Sequence, residues 1–407
     1  MNTYYTHTLP NGLRLVHLPQ NSAVSYCGVI VNVGSRDETE KEHGMAHLIE
    51  HMLFKGTEKR KSGQIIDRLE NVGGELNAYT SKEETVIYAG FLKEYTERTI
   101  ELIADIVQHS VFPKTELEKE VVIVQDEIQS YNDSPSELIF DDFEEMLFDS
   151  NSMAHNILGT KRHLKSFSSE KLKLFFQTHY KLEEMVFSSL GSVDFNKIIR
   201  WCEKYFINTE KIIYNSNRIT PVVIPTPNKT VKKRTNQVHC LMGGEAYSFH
   251  HKDRLSLYVL NNILGGPGMS SLLNLSLREK HGLVYTVESN YQPFTDCGWW
   301  SVYFGTDTEN ADKCETLVKK ELIKLCENKF SEKKLKKYKV QLMGQMAIAS
   351  ENKENLALSL GKSVMRYGKF DSLEEVKQKI NEISAEQLQR VANEIFDLEK
   401  LHILKYI

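Results

Sequence analysis

The densest chemistry in the chain lies in five residues, His47-Leu48-Ile49-Glu50-His51. On a helix turning about 100° per residue, His47 and His51 lie about 40° apart and Glu50 about 60° from His47. Both imidazoles can reach one ion, with a carboxylate on the flank of the same face. The order is HExxH read backwards. Two neutral nitrogens hold zinc and leave positions open, and the unligated carboxylate can take a proton from a metal-bound water. Histidine is 14 of 407 residues, and a chance HxxEH arises in roughly one chain in twenty to thirty of that composition, so the motif alone does not decide. The competing reading is a pair of surface histidines on a solvated helix. Leu48, Ile49, Met52 and Leu53 argue against it, because a solvated helix would not carry so much apolar bulk.

A catalytic zinc usually takes a third protein ligand. The candidate is Glu127, in Glu120-Val121-Val122-Ile123-Val124-Gln125-Asp126-Glu127-Ile128. Glu120 and Glu127 are two helical turns apart and share a face, beside an apolar stripe of Val121, Val124 and Ile128. Either glutamate alone reads as an ordinary helix-surface carboxylate. His43, four residues before His47, reads as a helix N-terminal residue, because Gly44 follows it. The run Gly265-Gly266-Pro267-Gly268 lacks the Lys-Ser/Thr ending of a phosphate loop, so it reads as a break between helices.

These residues need elements to hold them. The opening stretch alternates around Leu13, Leu15 and His17, then Val29, Val31 and Val33, after a turn at Pro10-Asn11-Gly12, which is strand and hairpin patterning. From His43 to Phe54 the apolar spacing turns helical. A second helix is expected from Ser62 to Val72, stopped by Gly73-Gly74, then strands over 75–81 and 85–91, then helices over 93–110 and 114–149. Pro221, Pro225 and Pro227, followed by the basic stretch Lys229 to Arg234, mark a linker. The second half replays the order: a strand over 238–244, helices over 255–264 and 269–280, strands over 283–291 and 298–305, and long helices from about 309 to 350. The expectation is an α+β protein of two similar units, each a mostly antiparallel sheet packed with helices. The expected bounds are 1–215 for the metal-binding unit, 216–236 for the linker and 237–407 for the second unit.

Composition sets limits. Of 407 residues, 41% are hydrophobic and 26% charged, and Lys plus Arg (51) nearly balances Asp plus Glu (55) for a net charge of −4. That balance argues against nucleic acid and against a polybasic membrane binder. Six cysteines, Cys27, Cys202, Cys240, Cys297, Cys314 and Cys326, form no CxxC and read as buried small hydrophobes. No run of about 18 apolar residues occurs, so no membrane span is expected. The N-terminus from Met1 to His7 has no secretory pattern, and a cytoplasmic location is expected.

The sequence resembles the pitrilysin/insulinase family of zinc metallopeptidases, most closely the short-chain branch that includes the mitochondrial processing peptidase and bacterial relatives. The resemblance runs from Leu9-Pro10-Asn11-Gly12-Leu13 to the last helices, and Gly44-Met45-Ala46-His47-Leu48-Ile49-Glu50-His51-Met52-Leu53-Phe54-Lys55-Gly56-Thr57 is a nearly unaltered family signature. It implies a clam-like chamber, of which this chain is half, and one zinc per chain on His47, His51 and Glu127, which stands 76 positions after His51. It implies a supporting role for Glu120. Gly74 to Ser81 is similar to the family's edge strand, with Asn77 and Ala78 binding an extended peptide by strand addition. Arg278 and Tyr285, in Arg278-Glu279-Lys280-His281-Gly282-Leu283-Val284-Tyr285, match a pair that contacts substrate backbone and donates toward the scissile carbonyl.

The function expected is a zinc endopeptidase that hydrolyses short or unfolded peptides, with Glu50 and Tyr285 catalytic. The alternative is a non-catalytic peptide-binding or assembly subunit of the same fold. When Met52-Leu53 is laid on Ile263-Leu264, the positions of His51, Glu50 and His47 fall on Asn262, Asn261 and Tyr258, so the second half keeps no metal site. Because the chain carries both half-sites, a homodimer is expected, with a heterodimer of this chain and a degenerate homologue as the alternative.

Overall fold

The computed structural model describes residues 4–207, 218–223 and 228–407. Met1–Thr3 of the N-terminal reading, and residues 208–217 and 224–227 of the junction, with Pro225 and Pro227, lie outside the described residues. The strands are β1 (Tyr5–Thr8), β2 (Arg14–Pro19), β3 (Val24–Val31), β4 (Glu75–Thr80), β5 (Thr85–Leu92), β6 (Met185–Gly191), β7 (Lys229–Val231), β8 (Val238–Glu245), β9 (Val284–Pro293), β10 (Gly298–Thr306) and β11 (His402–Tyr406). The helices used below are α1 (Met45–Met52), α2 (Ser62–Glu70), α3 (Thr96–His109), α4 (Lys114–Asn132) and α5 (Pro135–Leu147). No described helix is long and apolar enough to cross a membrane.

Two compact units form. The first comprises Met1–Gln129, His155–Arg218 and Ser350–Ser372, the second Ser130–Ala154, Ile219–Ala349 and Leu373–Ile407. The main division falls at Arg218/Ile219, and two stretches are exchanged across it. The segment holding α5 leaves the first half for the second unit, and the segment holding helix Lys353–Tyr367 does the reverse. The expected linker 216–236 is also more than a linker, because it contributes β7.

The first unit is built on a six-stranded sheet in the order β1-β2-β6-β3-β5-β4. Among its described strands, only β2 and β6 pair in parallel. Both faces are covered, so β6 is buried at every residue. One face, with Leu15, Val29, Val31, Ile87 and Phe187, packs on α1 and α3. The other, with Val16, Leu18, Val186 and Leu190, packs on Ala357, Leu360 and Val364 of helix Lys353–Tyr367. That helix comes very close: a Cβ on Gly361 would lie 2.3 Å from Ile30 Cδ1 and 2.8 Å from Ser188 Cβ. Ser188 Oγ donates to Ala357 O at 2.7 Å. At the opposite edge from β1, β4 pairs only with β5 among the described strands.

The second unit has a five-stranded sheet in the order β7-β11-β8-β10-β9, with β7 and β11 parallel. One face packs on helices Arg254–Gly265 and Ala311–Glu327. Leu138, Ile139, Phe143 and Leu147 of α5 cover the other, against Leu241, Trp299 and Leu404. Trp299 Nε1 donates to Glu144 Oε1 at 2.8 Å, and Tyr406 hydroxyl donates to Asp142 Oδ2 at 2.5 Å.

Some expected elements change. The helix expected over 114–149 is two helices, because Pro135 has no N–H to continue the first and instead opens α5. The helix expected over 269–280 shrinks to a π-helical turn, Asn274–Glu279. Gly265 fits a close approach, since a Cβ there would lie 2.6 Å from Ser289 N. Gly361→Val overpacks the seam beneath helix Lys353–Tyr367 and is expected to destabilise the protein by about 1–3 kcal/mol, read as a lowered midpoint in urea denaturation.

Candidate metal centre

Helix α1 starts where the chain turns through Gly44, whose φ of 94° only glycine adopts freely. A side chain there would also strike Gly159, with Cβ 2.7 Å from its Cα. Buried Glu38 closes the helix N-terminus, accepting from Gly44 N at 2.9 Å and Ala46 N at 2.8 Å. Met45, Leu48, Ile49 and Met52 sink into the core. His47, Glu50 and His51 are thereby left facing α4 and the end of β4.

On α4, Leu117, Glu120 and Val124 point inward. His47, His51 and Glu127 each offer a ligand atom, all within 4.8 Å of one another. Glu127 Oε2 stands 3.8 Å from His47 Nε2 and 3.6 Å from His51 Nε2. Those separations are too long for hydrogen bonds. They suit two donors sharing an ion, since ligands about 2.1 Å from a tetrahedral zinc lie about 3.4 Å apart. Burial, with His51 adding to it, lowers the His47 pKa to about 3, so its imidazole is neutral as ligation requires. Two neutral imidazoles and one carboxylate form the donor set of a hydrolytic zinc site, and the residues present fit that ion. The Glu127 side chain is 43% exposed, so the centre is open on that side.

Glu120 completes the arrangement. Its Oε2 lies 3.1 Å from His51 Nδ1. A carboxylate accepts, so Nδ1 carries the proton, and a ring neutral for ligation would keep its Nε2 lone pair on the side of Glu127. Lys55 Nζ holds the other Glu120 oxygen at 2.7 Å. Glu50 is half-buried against Thr80 at the end of β4. Burial raises its pKa, Thr80 and His51 pull it down, and Glu127 pushes it up.

His43 stands apart from the cluster. Its Nε2 lies 2.9 Å from Asn156 O, and its ring stacks on His155 at 4.4 Å. Asn77 and Ala78 lie on the edge strand β4, paired with Tyr88 and Ile87. In the second unit, the Arg278 guanidinium lies 5.6 Å from the centroid of the Tyr285 ring, and Tyr285 is 82% exposed. Asn261, at the position matched to Glu50, is occupied with Ser289: its Nδ2 donates to Ser289 O at 2.9 Å. Lys55, Thr80 and Glu38 escaped the sequence reading. Lys55 stands four residues after His51, a spacing that could have marked it. The bonds that Glu38 makes, six and eight residues ahead, leave no local signal.

A sheet-and-helix unit with an HxxEH helix facing a glutamate helix defines a metallopeptidase-like class, and comparisons with known proteins narrow it. The family model for insulinase (peptidase family M16) matches residues 15–161, and that for the peptidase M16 inactive domain matches 166–342. The chain is 32% identical over 395 residues to the uncharacterized zinc protease YmxG of Bacillus subtilis, spanning 96% of this chain and 95% of that one. It is 29% identical over 397 residues to the mitochondrial-processing peptidase subunit beta of Rattus norvegicus, spanning 94% of this chain and 80% of that one. The chain belongs to peptidase family M16, the insulinase family. Its fold matches that of a protease from Helicobacter pylori, with TM-score 0.91 at 22% identity over 100% of this chain and 99% of that one.

Glu120→Gln keeps the size of the side chain and removes its charge. Zinc affinity, measured by competition with a chromophoric chelator, is expected to fall by about 10–100-fold.

Proposed function

We propose that this chain is a zinc-dependent endopeptidase acting on short or unfolded peptides. The observation that carries the reading is the convergence of His47, His51 and Glu127, with Glu50 beside them and outside the ligand set. When bound, zinc supplies a Lewis acid that acidifies water and polarises a peptide carbonyl. His47, His51 and Glu127 would hold it, and Glu120 would keep the His51 ring oriented. Glu50 takes the proton from the attacking water and hands it to the leaving amine. A pKa raised by burial suits both halves of that transfer.

The peptide is held as an added strand on β4, where Asn77 and Ala78 lie, so main-chain hydrogen bonds rather than side chains supply most of the grip. Arg278 binds substrate backbone, and the Tyr285 hydroxyl donates to the oxyanion. A homodimer is the proposed assembly, because one chain carries both the metal cluster and the Arg278/Tyr285 pair. Enclosure in a chamber would admit unfolded chains and exclude folded ones. The proposed compartment is the cytoplasm; the cysteines form no disulfide, as reducing surroundings would keep them.

Glu50→Gln is expected to retain zinc and to cut peptide hydrolysis by about 10²–10⁴-fold, read by mass spectrometry of an unstructured peptide digest. Unchanged cleavage in that variant would remove the role given to Glu50. Absence of both zinc and cleavage in the unaltered protein would leave the non-catalytic subunit as the better reading. Tyr285→Phe is expected to lower kcat by about tenfold or more with zinc content unchanged. Activity per chain should fall on dilution below the dimer dissociation constant, and a fully active monomer in light scattering contradicts the assembly.

A further inference from the structure

The turn between β4 and β5, residues 81–84, differs from an ordinary surface hairpin. Lys82, Glu83 and Glu84 are 5%, 6% and 3% exposed. Turns ordinarily run through solvent, and pairing at best offsets the cost of burying ionised groups. Each of the three is tied to a different part of the chain. Lys82 Nζ donates to His155 O at 2.5 Å. Arg36 Nη1 donates to Glu83 Oε1 at 2.6 Å, and Arg218 Nη2 donates to Glu83 O at 2.9 Å. Glu84 accepts from Lys362 Nζ at 2.5 Å and from Arg366 Nη2 at 2.8 Å. These last two lie on helix Lys353–Tyr367, the segment that the second half of the sequence contributes to this unit.

Lys362 has a second contact. Its ammonium lies 4.9 Å from the centroid of the Tyr79 ring, a cation–π distance. Tyr79 sits on β4 one residue before Thr80, the residue that faces Glu50. Successive strand residues point to opposite faces. Ala78 packs into the core shared with α1, which leaves Tyr79 on the face of helix Lys353–Tyr367. Tyr79 also meets Tyr88 of β5 edge-on, with centroids 6.1 Å apart. One side chain therefore fastens both the turn, at Glu84, and the strand, at Tyr79. Burial pushes the Lys362 pKa down, but Glu84 and Tyr79 outweigh it and raise it, so the group is charged.

We propose that Lys362 is a positioning residue for the edge strand. Through Glu84 and Tyr79 it sets the line of β4 against α1, and so the place where an added peptide strand meets the Glu50 carboxylate. This rests on the reading of β4 as the peptide-binding strand. A plain structural ion pair would hold the turn without affecting how β4 receives a peptide, and the two accounts separate experimentally.

Lys362→Met keeps the stem and removes the charge, Lys362→Arg keeps a charge, and Lys362→Met with Glu84→Gln removes both charges together. Each is made in full-length Glu50→Gln protein loaded with zinc. Zinc content, urea midpoint, amide hydrogen exchange along β4 and the Kd of an unstructured fluorescent peptide are read. Lys362→Met should keep its zinc, speed amide exchange along β4 relative to the parent while leaving β6 unchanged, and bind peptide about tenfold more weakly, the scale of one lost charge-assisted contact. The double variant should recover part of the urea midpoint, since Arg366 keeps only a neutral amide oxygen as its partner there, but neither β4 protection nor affinity, and Lys362→Arg should recover part of both. If Lys362→Met alone does not fold, the double variant carries the test. Wild-type exchange and affinity in Lys362→Met overturn the proposal, as does a double variant in which both return together with the midpoint. If the parent protein binds no peptide at all, the reading of β4 fails. The exchange comparison then still judges the hold of Lys362 on the strand.

Discussion

Between α1 and α4, Glu120 accepts a hydrogen bond from the Nδ1–H of His51, and the cluster is organised around that bond. Nδ1 is occupied, so Nε2 is the nitrogen left for an ion. Glu120 is itself held by Lys55, and it lies in the core face of α4 with Leu117 and Val124. Fixing Glu120 against His51 places Glu127 two turns further along the same helix, opposite both Nε2 atoms. One charge-assisted contact thus selects a tautomer, a ring orientation and the register of Glu127. Glu38 performs a matching service at the other end of α1, tying the helix N-terminus by two backbone bonds. The apolar side of α1 then has one way to pack, and the motif faces α4.

The sheet of the first unit contributes at its border. β4 touches α1 on one face, through the Glu50–Thr80 contact, and helix Lys353–Tyr367 on the other, through Tyr79 and Lys362. An edge strand is the part of a sheet most prone to slip or twist. Here it is held from both faces and at its turn, while its outer side pairs with no other described strand. Rigidity and availability coexist because the restraints act through side chains and the turn rather than through the outer main-chain edge.

Much of this was legible in the sequence where the cause is local. The spacing of Met45, Leu48, Ile49, Met52 and Leu53 announces α1, and two histidines four apart announce that their rings share a face. Alternation around β2 and β3 announces strands. The Glu120/Glu127 pair was half legible: helical spacing puts both on one face, but only the resemblance separates ligand from support. What escaped depends on distant partners. The run 114–149 keeps a helical pattern through a break that Pro135 imposes. The heptapeptide Met185–Gly191, buried on both faces, shows no alternation to signal a strand. Nothing in the amphipathic patterns of α5 or of helix Lys353–Tyr367 names the sheet that each covers. The salt bridges of Glu84 span 282 residues in the case of Arg366 and have no signature in either segment.

The exchanged helices also bear on how the protein is made. Synthesis runs from the N-terminus, and domains usually fold as they emerge. In this chain, all six strands of the first sheet exist once Gly191 is complete, yet one face stays uncovered until helix Lys353–Tyr367 has been made. For more than 160 residues of further elongation, Val16, Leu18, Val186 and Leu190 face solvent or a chaperone. Contacts such as Arg14 with Met365, 351 positions apart, close last and bring a high contact order with them. A chain truncated before residue 350 therefore exposes a greasy sheet rather than yielding a smaller stable unit. The first unit and the completeness of translation are tied together by the fold itself.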